Sequence, residues 1–550
     1  MKTSQRRLII DDSTFGYELF DMYRLITAAL VAIMLSSVTM MPAEPVTYDL
    51  LITNARIIDG GGNPWFRGSI AVKNGRIVKV GRVEGATATR TIDAHNMIVA
   101  PGFIDVHTHV EDVYNQPKAE NFIRMGVTSL ITGNCGGSEL DIKEFLGRMR
   151  TKPLAVNIGT LVGHNTIRSK VMGLGDRPPT ADEQAKMDAY VDQAMKDGAV
   201  GFSTGLEYLP GMFAKTDEIV SMAKAAAKYG GVYATHMRNE GIDVKKSINE
   251  SLTIGEQANI PVEISHFKIS DKALWGKSNE TLGMVRAARA KGMTVTVDQY
   301  SYPASSTSLD VRLPNWAVAG GRVEGRKRLA DAATRDKIVK EMKQNLKEKG
   351  FDDYSFAYVA TYTTNPAYNG KNIKEITQIA RGKADLDAQI DQILEMYGKG
   401  GAQMVYRVMS EDDVQNIMRE PFTMIASDSG VREFGVGNPH PRGYGNNARV
   451  LGHYVRDLHL IPLEDAIRKM TSLPAQTFNL RDRGMVREGF AADLVIFDEN
   501  AIIDKSTFDQ PHHYAEGMTT VIVNGGIVFD ANQMTGTMSG QALYGPGRSM

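Results

Sequence analysis

One cysteine and eleven histidines are present in this 550-residue chain, and the cysteine sits where chemistry is possible. Cys135 follows the apolar run "VTSLIT", and two glycines come after it. His107 and His109 close "GFIDVHTH", His236 closes "GVYATH", His266 ends "PVEISH" and Asp428 ends "FTMIASD". Imidazole, thiolate and carboxylate are the donors that hold zinc. Residues two apart on an extended segment point to one side, so His107 and His109 share a face. A lone His-x-His is an ordinary feature, and so is a lone thiol. Six such residues, each at the end of an apolar run, imply one metal centre. A metal would hold Cys135 as thiolate, and the glycines beside it permit a tight turn. Asp428 is the candidate general base. Metal-bound water has a pKa near ~7, and a carboxylate that moves its proton contributes roughly 10²–10⁴-fold. Asp298, at the end of "MTVTVD", is a weaker candidate for the same role and reads first as structural.

These residues need a scaffold that gathers strand ends. Eight apolar runs end in polar residues: "GFIDVHTH", "VTSLITGNC", "LAVNIGTLVGHN", "AVGFSTGLEY", "GVYATH", "PVEISHFK", "MTVTVDQY" and "FTMIASD". Helical patterns separate them. Thr180 and Glu183 form a capping box before a helix that stops at Gly198, and Thr216 is placed to cap a second. Strand–helix alternation of this kind predicts a (β/α)₈ barrel over residues 101–480, with its active site at the C-terminal strand ends. Residues 47–100 and 481–535 read as short strands with Asn-Gly turns, so both chain ends are expected to build one small β-sandwich. About 304–420 is too long for one crossover and carries charged helical patterns. It reads as a helical insertion over the barrel mouth, and 536–550 as a tail.

Lys+Arg (63) and Asp+Glu (64) balance to a net charge of −1, without a long basic run. That argues against nucleic acid as a partner. In residues 1–46, Arg24 precedes an apolar run from Leu25 to Leu35, then small residues up to Ala43. This order resembles a signal peptide starting at Met22. It is short for a membrane span, which needs ~20 apolar residues. Export to the periplasm or beyond is expected, with no stable membrane partner; the alternatives are an uncleaved anchor, or a cytoplasmic protein with a leader that does not function. The oligomeric state stays open.

"PGFIDVHTH" with the later strand-ending histidines and "SD" resembles the amidohydrolase superfamily. "GNCG", "GHNTIR", "STGLEY", "ATHMRNEG", "EISHFK", "DQYSYPASST" and "NPHPRGYG" resemble its D-aminoacylase (N-acyl-D-amino-acid deacylase) family, from about residue 47 to 530. The resemblance implies hydrolysis of N-acyl-D-amino acids, small-molecule substrates, to a carboxylate and a free D-amino acid. It implies a tight Zn²⁺ site of Cys135, His236 and His266. A second, weaker site would use His107, His109, Asp428 and shared Cys135. Lys268, Tyr300 and Ser306 match residues that hold the substrate carboxylate, a fitting task for a cation and two hydroxyls. The fourth strand, "AVGFSTGLEY", lacks the lysine that bridges two metals in hydantoinases, which counts against a hydantoinase or dihydroorotase activity. Arg312 lies where it could pair with an acidic substrate side chain. His440 and Arg442 read first as loop-ordering residues, with substrate contact as the second reading. Two alternatives remain at this level. One is another amide hydrolase, acting on D-residue dipeptides or cyclic amides. The other is a non-catalytic binding protein on the same scaffold.

Overall fold

The computed structural model describes residues 22–28, 47–83 and 85–548. The chain divides into two compact units. The first, residues 1–47 and 84–87, is described mainly as a helix over 22–28. The rest of the expected leader lies outside the described residues. No helix among the described residues is long and apolar enough to cross a membrane. The second unit, 48–83 and 88–550, carries everything that follows.

Eight parallel strands form its centre: β1 (Phe103–Asp105), β2 (Val127–Thr132), β3 (Asn157–Thr160, continued at Val162–Gly163), β4 (Gly201–Gly205), β5 (Val232–His236), β6 (Val262–Ile264), β7 (Val295–Gln299) and β8 (Thr423–Ile425). β1, β2 and β3 pair in that order, and the continuation of β3 pairs onward through β4, β5, β6 and β7 to β8. Beyond the strand ends, Asp428 N–H donates to the His107 carbonyl at 2.9 Å, and His109 N–H to Ser429 at 2.9 Å. These bonds join the last strand to the first and close the ring.

Period-2 alternation explains which side chains face inward. On β5, Val232 and Ala234 join the interior cluster with Ile104, Ile131, Val200 and Met424, whereas Tyr233 packs outward with the helices. His236 shares the inward parity. On β7, Val295 and Val297 face the helices, which turns Asp298 inward. Outer helices follow their signals. Ala181–Asp197 starts at the Thr180–Glu183 capping box and ends at left-handed Gly198. Thr216, however, is the first helical residue and not its cap; its hydroxyl donates to Glu250 at 3.0 Å.

Both chain ends contribute to one sheet of nine strands. Leu494–Phe497 joins the two ends by pairing antiparallel with Ile98–Pro101. The expected sandwich is therefore a single hydrogen-bonded sheet. Val99, Leu494 and Ile496 pack with Ile52 and Ile70 in a separate cluster. Their alternates Ile98, Val495 and Phe497 pack with the barrel's helices. The tail crosses the barrel beside β3, where Leu543 N–H donates to Ile158 at 2.8 Å and its side chain joins the interior cluster.

The insertion between β7 and β8 is not purely helical. Besides helices such as Ala332–Glu348 and Leu386–Gly398, it holds an antiparallel sheet ordered Ser305–Ser308, Gln403–Tyr406, Ala357–Thr361. "SSTS" is half-buried along its length and shows no apolar alternation, so no pattern announced it. This sheet supplies a wall of the cavity described next.

Candidate active site

Loops at the C-terminal strand ends enclose a cavity of about 480 Å³. His109, Cys135, His236, His266, Lys268, Tyr300, Ser306, Arg312 and Asp428 all line it. His107 lies just beneath, fully buried. The structure thus brings together every residue singled out from sequence.

Cys135 Sγ is 3.7 Å from His236 Nδ1 and 3.7 Å from His266 Nε2, and those two nitrogens are 2.7 Å apart. His107 Nε2 is 3.3 Å from the same sulfur. Asp428 Oδ1 is 3.7 Å from His107 Nε2 and 3.3 Å from His109 Nε2. These atoms form overlapping groups centred on Cys135 and Asp428.

The outer nitrogens explain why the inner ones converge. His236 Nε2 meets Glu207 Oε2 at 2.9 Å, His266 Nδ1 meets Glu240 Oε1 at 2.8 Å and His107 Nδ1 meets Asp298 Oδ2 at 3.2 Å. An ionised carboxylate can only accept, so the outer nitrogens of His236 and His107 carry the proton and their inner ones present a lone pair. This carboxylate support is the usual orienting device for metal-binding histidines. Asp298 Oδ1 also accepts His266 N–H at 2.9 Å, so one buried carboxylate orients two histidines. The donor set fits zinc: one thiolate and two imidazoles converge, and sulfur–nitrogen gaps near 3.7 Å suit tetrahedral ligands.

Backbone strain concentrates here. Cys135 (φ 52°), His266 (φ 36°) and Asp428 (φ 50°) all adopt the left-handed region, which costs non-glycine residues of order 1–3 kcal/mol each. Their neighbours are shaped to permit it. A Cβ on Gly205 would lie 2.1 Å from the Cys135 carbonyl, and one on Gly136 would lie 2.3 Å from Asn165 Oδ1.

Charge distinguishes the two sides of the cavity. Burial pushes the Cys135 thiol well up, with Asp428 and Glu240 adding to it; only a metal would hold it as thiolate here. Burial would also raise Asp428, but Arg442, then His107 and His109, hold it well below the usual carboxylate range. It therefore stays ionised and able to accept a proton. Burial alone would push Lys268 down, and Glu240 at 2.6 Å more than offsets this, so the ammonium persists at 4% exposure. Burial, with Lys268 second, drives His266 down to about 4, so its ring is neutral.

Tyr300 is buried, with its hydroxyl on Met409 sulfur at 3.6 Å. Ser306 donates to the Met404 carbonyl at 2.8 Å. It must release that bond to donate elsewhere. Arg312 stacks 4.5 Å over Tyr406, and its buried Nε has no hydrogen-bond partner.

Arg442 belongs with the cavity residues. It is not merely a loop-ordering residue: it lines the cavity, sits 3.0 Å from Asp428 Oδ2 and stacks 4.4 Å over Tyr300, and its Nε is unpartnered. His440 does order the loop. Its Nδ1 accepts Arg442 N–H at 3.0 Å, and its Nε2 lies 2.9 Å from the Ala304 carbonyl. Tyr208 was also missed. Its hydroxyl accepts from Thr307 at 3.1 Å, and its ring lies 4.4 Å from that of His236. The "LEY" that follows β4 was the available signal for Glu207 and Tyr208.

An eight-stranded ring with a histidine–cysteine–carboxylate centre at its C-terminal face defines a metal-dependent hydrolase class. The amidohydrolase family profile matches residues 90–529, and the chain belongs to that family. It is 34% identical to the D-aminoacylase of Alcaligenes xylosoxydans xylosoxydans, over 92% of this chain and 99% of that one. It is 34% identical to the N-acyl-D-glutamate deacylase of the same organism, over 88% and 93%. The structure of an N-acyl-D-glutamate deacylase from Bordetella bronchiseptica, complexed with zinc and a phosphonate inhibitor, superimposes with a TM-score of 0.78 at 31% identity, covering 91% of this chain and all of that one.

Proposed function

We propose that this protein hydrolyses the amide bond of N-acyl-D-amino acids with zinc held by Cys135, His236 and His266. The observation that carries this reading is the facing arrangement of that triad and a cationic grip. Lys268, Tyr300 and Arg442 converge on the cavity where a carboxylate would lie, with Ser306 at its edge. Zinc, when bound, supplies a Lewis acid for the amide carbonyl and makes water acidic enough to serve as nucleophile near neutral pH.

The chain's own residues do the rest. Asp428, kept ionised by Arg442, accepts a proton from the attacking water. The water oxygen bonds to the carbonyl carbon, the carbon–nitrogen bond breaks and Asp428 returns the proton to the departing nitrogen. Tyr208 accepts from Thr307, which leaves its own proton for the carbonyl oxygen. Fixing the carboxylate at the grip and the carbonyl at the triad leaves one direction for the side chain, and this is how the enantiomer is selected. Arg312, without a carboxylate partner among the described residues, supports a preference for acidic side chains. His107, His109 and Asp428, with Cys135, form the second and weaker site.

The test is a hydrolysis panel of N-acetyl-D- and N-acetyl-L-amino acids with neutral, acidic and basic side chains. Release of D-amino acids alone, falling roughly 10²–10⁴-fold in Asp428→Asn with zinc retained, is the expected result. Equal cleavage of both enantiomers would sink the reading. If Arg312→Ala leaves the ranking of acidic over neutral substrates intact, Arg312 has no part in it.

A further inference from the structure

The segment "GHNTIR", from Gly163 to Arg168, has no place in the mechanism above, yet its polar side chains are all engaged. It closes β3 and opens the helix His164–Met172. Arg168, His164 and Glu218 are buried together. Arg168 Nε donates to Glu218 Oε1 at 3.0 Å, and His164 Nε2 meets the same oxygen at 2.8 Å. A buried ion pair pays a desolvation penalty that its attraction barely offsets, so by itself it adds little stability. What it adds here is orientation. The other ring nitrogen of His164 stands 3.1 Å from Asn165 Oδ1. Arg168, Glu218, His164 and Asn165 thus form one connected polar chain, each member fixing the next.

Asn165 is the end of that chain nearest the catalytic cavity. Its amide nitrogen donates to the Gly205 carbonyl at 3.0 Å and to the Tyr208 carbonyl at 3.4 Å. Carbonyls only accept, so the amide nitrogen belongs on that side and the oxygen faces His164. The Gly205 carbonyl also accepts Tyr208 N–H at 3.1 Å. One side chain therefore clamps both ends of the turn that follows β4. That turn presents Glu207 to His236 Nε2 at 2.9 Å and Tyr208 to the cavity. Asn165 itself does not line the cavity.

The clamp has no slack. A Cβ on Gly136 would lie 2.3 Å from Asn165 Oδ1, and one on Gly211 would lie 2.5 Å from it. Only glycines fit on these two sides, and they leave the amide no second position. The next residue extends the hold to the cysteine turn, because Thr166 N–H donates to the Gly136 carbonyl at 3.1 Å. The carboxylate grip is built elsewhere: Lys268 follows β6, Tyr300 follows β7 and Arg442 follows β8.

Resting on the proposed activity, we propose that Asn165 is a positioning residue that sets Glu207 and Tyr208 together. It thereby links zinc retention to polarisation of the substrate carbonyl and leaves carboxylate binding untouched.

The test measures zinc affinity by chelator competition, and kinetics at saturating zinc on the D-substrate preferred in the N-acetyl panel. The variants are Asn165→Ala, Glu207→Gln, Tyr208→Phe and Asn165→Ala combined with each of the other two. Asn165→Ala should weaken zinc binding about tenfold, as expected for losing a group behind a metal ligand. It should lower kcat about tenfold or more, through a misplaced donor to the carbonyl oxygen, with KM within about twofold. The two couplings are decisive. Added to Glu207→Gln, Asn165→Ala should weaken zinc binding by less than about twofold more. Added to Tyr208→Phe, it should lower kcat by less than about twofold more. A general loosening of the fold would multiply the single effects and raise KM as well. Asn165→Asp keeps the shape, removes the donor to both carbonyls and should show the same couplings, which covers an alanine variant that does not fold. Multiplied effects in either combination overturn the inference, and so does wild-type zinc affinity in both Asn165 variants. If no N-acyl-D-amino acid is cleaved, the proposed function falls, and the zinc coupling between Asn165 and Glu207 still decides this inference.

Discussion

Glu240 offers the most demanding test of the site's wiring. It is 5% exposed, holds Lys268 at 2.6 Å through Oε2 and faces His266 at 2.8 Å through Oε1. Consider Glu240→Gln, which keeps the shape and removes the charge. At an effective dielectric of about 20, the Glu240–Lys268 attraction is roughly 6 kcal/mol before desolvation. Desolvation opposes it, and breaking a buried pair from one side costs about 3–5 kcal/mol. Two readouts should respond together. Zinc affinity, measured by chelator competition, should fall by about 10–100-fold, because His266 loses the carboxylate 2.8 Å behind its ring. KM should rise, because burial now lowers the charged fraction of Lys268. A double-mutant cycle with Lys268→Met should return a coupling of about 2 kcal/mol or more in stability. Unchanged zinc affinity with unchanged KM would refute the idea that one carboxylate serves both the metal site and the grip.

Two further outcomes follow from the geometry. Gly205→Ala would drive a methyl into the Cys135 carbonyl, at 2.1 Å. It should weaken zinc binding and lower Tm together, whereas Ala at Gly382, a site without close neighbours, should cost Tm alone. Lys469 is buried beneath β8, and burial pushes it down to about 8. Its folded pKa is below the unfolded value near ~10.4, so the unfolded chain binds the extra proton between those limits and stability rises with pH there. The shift corresponds to about 3 kcal/mol. Denaturant titrations at pH 8 and 10 should show wild type gaining on Lys469→Met by a good part of that; a pH-independent difference would rule it out.

The convergence of these side chains was legible because a parallel barrel exports its chemistry to strand ends, and each strand here is an apolar run with a visible terminus. Cys135 stood out further because a thiol without a partner needs a reason. The carboxylates behind the histidines were harder to see. Glu207 and Glu240 reach His236 and His266 across neighbouring strands, and Asp298 reaches His107 from two strands away around the ring; no local spacing encodes those distances. Arg442 looked like a loop residue because its partners, Asp428 and Tyr300, are fourteen or more positions away. In the insertion, the charged helical patterns were read correctly. The polar strand "SSTS" was not, because it is held by backbone pairing to Gln403–Tyr406 and not by an apolar face.

The nine-stranded sheet also sets an order of assembly. Pro101 and Leu494 pair directly, yet at a translation rate of ~5–20 residues per second the second emerges from the ribosome about 20–80 s after the first. Throughout that interval the nascent chain presents Ile98–Pro101 with one edge unsatisfied and its apolar side chains uncovered. Edges of this kind invite pairing with other chains. A barrel that forms before those strands arrive does so beside a sheet whose edge only Leu494–Phe497 can close.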